Sequence, residues 1–182
     1  MTSFLVPALN SADASAQLEA LANRFFERSV GEWQSKRRYY TLKTDDTQEV
    51  ISQLSIQFLA AGHADLIALA ETHELDQPLS CGVQTSWESN YVSPSKKQMT
   101  GSTVFGILGG IMYRDRGFAT PKPVTATYQF RDDNTMQLHT EYGGSCFNEE
   151  LKLIGDSYRT RQTIISRAGE EIMIGQYLEK RL

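Results

Sequence analysis

The sequence predicts a mainly β fold, a ten-stranded antiparallel β-barrel with an N-terminal helix and one short second helix. Two observations predict it. Past residue 31 the chain breaks into about ten short strand-like runs, and turn-forming residues separate those runs at regular intervals. Short strands with regular turn signals mark an all-β barrel or sandwich, and a closed barrel of the lipocalin or fatty-acid-binding-protein type fits this number of strands.

The elements follow in order. Residues 1–12 are expected to form a flexible tail ending in the polar stretch Asn10-Ser11-Ala12-Asp13. A helix over 13–30 follows, since Leu18, Leu21, Ala22, Phe25 and Phe26 fall at helical spacing; Asp13 or Ser15 offers its cap and Gly31 its end. Residues 32–182 are expected to form the barrel. Strands are predicted at Trp33–Leu42 and Val50–Leu59, joined by a turn at Lys43–Thr47. A short helix around His63–Leu75 carries Leu66, Leu69 and Ala70 as its buried stripe. Eight further strands are expected at Gly82–Tyr91, Met99–Leu108, Ile111–Arg114, Val124–Phe130, Thr135–Tyr142, Cys146–Ile154, Tyr158–Ser166 and Ile172–Lys180. Turn signals such as Ser93-Pro94-Ser95, Gly143-Gly144 and Ala168-Gly169 lie between them.

Composition narrows the function. The 182 residues fit one domain, with 40% hydrophobic and 22% charged residues, which is ordinary globular usage. A net charge of -4 argues against general nucleic-acid binding. Cys81 and Cys146 lie far apart and outside any CxxC pattern, which predicts a reducing, cytoplasmic compartment. The opening residues carry no basic segment followed by an apolar one, and no apolar run approaches membrane-spanning length.

Side chains two apart in a strand share a face. Trp33, Ser35, Arg37 and Tyr39 therefore point one way, as do Trp87 with Thr85, Ser89 and Tyr91, and Arg159 with Arg161 and Thr163. None of these strands shows the clean apolar-in, polar-out alternation of Val124, Ala126, Tyr128 and Phe130. Arginines sharing a face with tryptophan and tyrosine suit a flat apolar ligand that carries carboxylates, because Arg pairs with carboxylates bidentately and the rings cover the conjugated part. Outward-facing Arg159 and Arg161 satisfy the same alternation. Of the adjacent Glu149 and Glu150, at least one must face solvent. Gly106-Ile107-Leu108-Gly109-Gly110 has neither the dinucleotide fingerprint nor a P-loop lysine, His63, His73 and His139 show no metal spacing, and no G-x-S-x-G elbow surrounds Ser102 or Ser145. No metal or cofactor is expected.

The stretch Phe25-Phe26-Glu27-Arg28-Ser29-Val30-Gly31-Glu32-Trp33-Gln34-Ser35-Lys36-Arg37 resembles the opening signature of the S-type (CpcS/CpeS) phycobilin lyases. Ser86-Trp87-Glu88, Tyr113-Arg114-Asp115-Arg116-Gly117-Phe118 leading into Pro123-Val124, and Tyr158-Arg159-Thr160-Arg161 after Glu149-Glu150 extend the likeness in order across nearly all of the chain past residue 25.

The resemblance implies a lipocalin-like barrel that binds an open-chain tetrapyrrole, with phycocyanobilin as substrate. It also implies attachment of the bilin by a thioether bond to a cysteine of an apo-phycobiliprotein subunit of phycocyanin or allophycocyanin. Arg37, Arg159 and Arg161 would hold the propionates or orient the chromophore, Trp33 and Trp87 would line the pocket, and Thr163 stands where the family has a polar residue. Glu149 or Glu150 would hydrogen-bond the pyrrole nitrogens and favour a protonated, electrophilic bilin, so that Glu149, Glu150 and Arg159 form the catalytic set. Cys81 and Cys146 would be bystanders. Some relatives are heterodimers, and exposed strand edges could support a homodimer. The alternative is a non-catalytic lipocalin-like carrier of an anionic hydrophobic ligand.

Overall fold

The computed structural model describes residues 11–91 and 99–182. Most of the expected tail, and the expected turn at Ser93-Pro94-Ser95, lie outside the described residues. Helix α1 (Ser11–Ser29) leads into β1 (Gly31–Thr41), β2 (Asp46–Ala60), helix α2 (Ala64–Thr72) and β3 (Cys81–Tyr91). There follow β4 (Met99–Leu108), β5 (Ile111–Arg114), β6 (Val124–Asp132), β7 (Thr135–Tyr142), β8 (Ser145–Ile154), β9 (Tyr158–Arg167) and β10 (Glu170–Arg181). All neighbours are antiparallel, and β10 pairs with β1 to close the barrel. The expected exposed strand edges are therefore absent among the described residues, because every strand has a partner on both sides.

Two boundaries move. Helix α1 starts at Ser11, two residues before the expected position, and β2 starts at Asp46 rather than Val50. The β1–β2 ladder runs on to Thr41↔Asp46, where Asp45 takes a positive φ of 55° and turns the chain. Arg38 and Glu49 form an ion pair on the outer face of this extended ladder.

Helix α1 seals one end of the barrel. Ala22, Phe25 and Phe26 are buried, and Phe25 meets Phe130 edge-on at 5.7 Å. The last carbonyls of a helix have no intrahelical partner. Here side chains supply donors: Trp33 Nε1 donates to Ser29 O at 2.9 Å, and Arg181 donates to the carbonyls of Arg28 and Val30. Gly31, at φ +129°, makes the turn into β1 beside that guanidinium.

Helix α2 packs on the outer wall, with His63 as its N-cap and Leu66 and Leu69 buried against Leu59 and Leu79. It comes close because Gly82 and Gly106 carry no side chain; a Cβ on Gly82 would lie 2.1 Å from Phe105 O. No helix among the described residues is long and apolar enough to cross a membrane.

Candidate active site

Three rungs of the ladder build the polar wall of the interior. Ser35, Glu179 and Arg159 lie side by side on β1, β10 and β9; Arg37, Tyr177 and Arg161 form the next rung; Tyr39, Gly175, Thr163 and Glu149 form the third. Arg159, Arg161 and Thr163 thus face inward, which settles the alternatives that the alternation left open. Glu149 faces inward with only 5% exposure, and Glu150 faces outward, where its carboxylate accepts from Gln137 Nε2 at 3.0 Å.

The cavity they line measures about 1310 Å³, larger than the roughly 300–1,000 Å³ of typical small-molecule pockets. Its opposite walls are apolar, with Phe25 and Phe26 near the sealed end and Leu54, Ile56, Val83, Phe105, Met112, Met136 and Leu138 along the sides. Trp87 is half-buried in the wall, its indole lying across Gly101, where a Cβ would meet the ring at 2.5 Å. The mouth is at the far end from α1, between the β1–β2 turn and residues 115–123.

Trp33 is not part of the cavity wall. It is fully buried beneath it, with the guanidinium carbons of Arg159 and Arg181 over its ring at 5.3 and 4.2 Å. Its indole is a platform that fixes Arg159, and the reason is its position: it is the first inward residue after α1, below the level of the cavity. Thr163 likewise acts from behind, its hydroxyl donating to Glu149 at 3.4 Å.

Ion pairing inside the barrel involves two charged residues outside the expected site, Glu179 and Arg114. Glu179, 2% exposed, accepts from Arg159 Nε at 2.5 Å and from Ser35 Oγ at 3.2 Å. Arg114 reaches in from the end of β5, 7% exposed, with Nη1 3.6 Å from Glu149; Arg161 is ion-paired with the same carboxylate. Tyr177 stacks under Arg37 and Arg161 and donates to the Tyr39 hydroxyl at 3.3 Å. In the sequence Glu179 shares a strand face with Tyr177, and Arg114 with Met112, and that sharing is the signal that could have found them.

Four guanidiniums, those of Arg37, Arg114, Arg159 and Arg161, face the carboxylates of Glu149 and Glu179 in the deeper part of the cavity, a local surplus of two positive charges, while Arg116, Asp46 and Glu49 stand toward its mouth. Burial alone would push the Glu149 carboxyl up, but Arg161 and Arg114 overcome it and hold it below the usual carboxylate range. Glu179 is held low in the same way, burial being offset by Arg159. Both are anions at neutral pH. Arg114 Nε and Arg161 Nε are buried with no hydrogen-bond partner. Buried donors of this kind cost stability unless something accepts from them, and an anionic ligand supplies the acceptor.

The closed barrel and its cavity define the fold as lipocalin-like. More narrowly, the family model described as CpeS-like protein matches residues 22–182, and the chain belongs to that family. It is 57% identical over 160 residues to a Nostoc sp. protein provisionally named phycocyanobilin lyase CpcS 2, covering 87% of this chain and 89% of that one. It is 50% identical over 161 residues to a Picosynechococcus sp. protein provisionally named chromophore lyase CpcV, covering 87% and 80%. Its fold matches the S-type phycobiliprotein lyase CPES from Guillardia theta with a TM-score of 0.76 at 23% identity, over 96% of this chain and 98% of that one. The chain is a chromophore lyase.

Proposed function

We propose that the protein binds phycocyanobilin in its barrel and attaches it by a thioether bond to a cysteine of an apo-phycobiliprotein subunit, of phycocyanin or allophycocyanin, in the cytoplasm. The observation that carries this is the charge deep in the cavity: a local surplus of two positive charges and two unsatisfied guanidine N–H groups, beside apolar side chains, suit an elongated conjugated molecule with two carboxylates. The names of the relatives point to the same chemistry.

The ion pairs give a mechanism. In the unliganded protein Arg114 and Arg161 neutralise Glu149. Bilin carboxylates would draw those guanidiniums away, and the freed Glu149 carboxylate would accept from the pyrrole N–H groups. With those guanidiniums drawn away burial alone would neutralise Glu149, so it keeps its charge by pairing with the protonated bilin, whose counter-ion it becomes. Protonation makes the ethylidene group of ring A electrophilic. The acceptor thiol then adds across that double bond: sulfur bonds to the exocyclic carbon, the π pair takes up a proton on the ring carbon, and nothing leaves. The lyase needs no nucleophile of its own; it holds the bilin extended and presents ring A at the mouth. The outward Glu150 takes no part in this scheme.

Co-expression with a phycocyanobilin-producing pathway and an apo-phycocyanin β subunit tests it. Zinc-induced fluorescence on the acceptor band of a denaturing gel, lost when the lyase or the acceptor cysteine is removed, is the expected result. Colour that stays non-covalently on this protein would instead mark it as a carrier, and no colour at all would overturn bilin binding.

A further inference from the structure

The outer face of the β7–β8 hairpin carries a cluster that the barrel interior does not use. His139 and Glu141 stand two apart on β7, and Cys146 and Asn148 two apart on β8, with His139 opposite Asn148 and Glu141 opposite Cys146. All four therefore project from one side of adjoining rungs. One ligand atom each from His139, Glu141 and Cys146 lies within 4.8 Å of the others. The Cys146 Sγ to His139 Nδ1 distance is 3.7 Å. A tetrahedral ion with bonds of about 2.3 Å to sulfur and about 2.0 Å to nitrogen sets its two ligands roughly 3.5 Å apart, so the pair already stands at the spacing of two such ligands. The tight Gly143–Gly144 turn, both residues at positive φ, locks the register, and the inward Thr140 and Phe147 are buried, so the hairpin is held from behind.

We propose that His139, Glu141 and Cys146 form a surface site for Zn²⁺, with water or Asn148 Oδ1 in the fourth position. Thiolate, imidazole and carboxylate together match zinc and discriminate against Mg²⁺ and Ca²⁺, which take oxygen ligands. Asn148 lies across the pair, its Oδ1 2.8 Å from His139 Nδ1 and its Nδ2 3.6 Å from Cys146 Sγ, and Glu141 Oε1 lies 3.0 Å from His139 Nε2; an ion on Nδ1 would replace the Asn148 Oδ1 bond and draw Glu141 round from Nε2. The metal would clip the rim-proximal half of the strand that carries Glu149, one residue beyond Asn148.

Cobalt reports the site directly, because a thiolate ligand gives Co²⁺ a near-ultraviolet charge-transfer band. The full chain, reduced and stripped with chelator, is titrated with Co²⁺ and then with Zn²⁺. The expected result is a band that saturates at one equivalent, is displaced by Zn²⁺, persists in Cys81→Ser and vanishes in Cys146→Ser. His139→Ala and Glu141→Ala are expected to weaken Zn²⁺ binding at least tenfold. All three ligand side chains lie on the outer face, so circular dichroism is expected to show each variant folded. Zn²⁺ is also expected to protect Cys146 from alkylation. Absence of the band, its survival in Cys146→Ser, or unchanged Zn²⁺ affinity in His139→Ala would each overturn the proposal.

Discussion

Glu149 and Glu150 are adjacent in sequence and opposite in fate. The strand alternation that puts one into a buried arginine pair puts the other on the outer wall. Glu149→Gln is expected to reduce bilin transfer about 10²- to 10³-fold while changing bilin affinity less than tenfold, because the counter-ion is lost but the arginines remain; Glu150→Gln should match the wild type in both. Transfer kinetics on the co-expressed or reconstituted pair measures the difference. Glu179→Gln strands Arg159 in the interior and is expected to lower stability by about 3 kcal/mol in urea unfolding. The two thiols also differ: burial pushes Cys81 up to about 11, so iodoacetamide should label the partly exposed Cys146 first, as mass spectrometry of timed quenches would show. At this scale period-two patterning showed which residues share a face, Arg159 with Arg161 and Arg37 with Trp33, but not which way the arginine face of β9 points. Arg114 and Glu179 were not legible as inward residues, since a charged residue turned inward breaks the very rule by which inward residues are recognised. Trp33 was legible as an inward residue, but its depth relative to the cavity depends on how α1 seats beneath it.

Elements were more legible than their ends. Both helices and all the strands stand within a few residues of where apolar spacing and turn residues put them. The β2 start shifted because Asp46 and Thr47 carry turn chemistry, yet the turn is confined to residues 42–45, with Asp45 at positive φ, and the ladder resumes at Asp46. The seat of α2 was not readable, because it depends on two glycines in strands that lie side by side only after folding. Gly82→Ala sets a methyl group against a backbone carbonyl that cannot move aside, and it should cost about 1–3 kcal/mol by urea unfolding.

For the whole molecule, closure and interior charge act together. The barrel tolerates its buried guanidiniums because Glu149 and Glu179 stay ionised beside them. Each is held below the usual carboxylate range in the fold, so its contribution is present at neutral pH and is lost as the pH falls below about 4.3, the unfolded value, toward the folded one. Stability measured in urea should be flat above about pH 5 and fall steeply below about pH 4, and less steeply when both glutamates are replaced by Gln. The barrel class could be read from strand count and spacing, whereas the pairing of β10 with β1 could not, since nothing in either strand names its distant partner. The two tryptophans of the chain, one locked under the floor and one in the cavity wall, have an optical consequence. They are two intrinsic emitters with separate duties: Trp87, in the cavity wall, should report loading in a Trp33→Phe variant, while Trp33, in the ligand-free protein, should change its emission only when the α1 seal opens, so that a ligand-free Trp87→Phe variant reports unfolding.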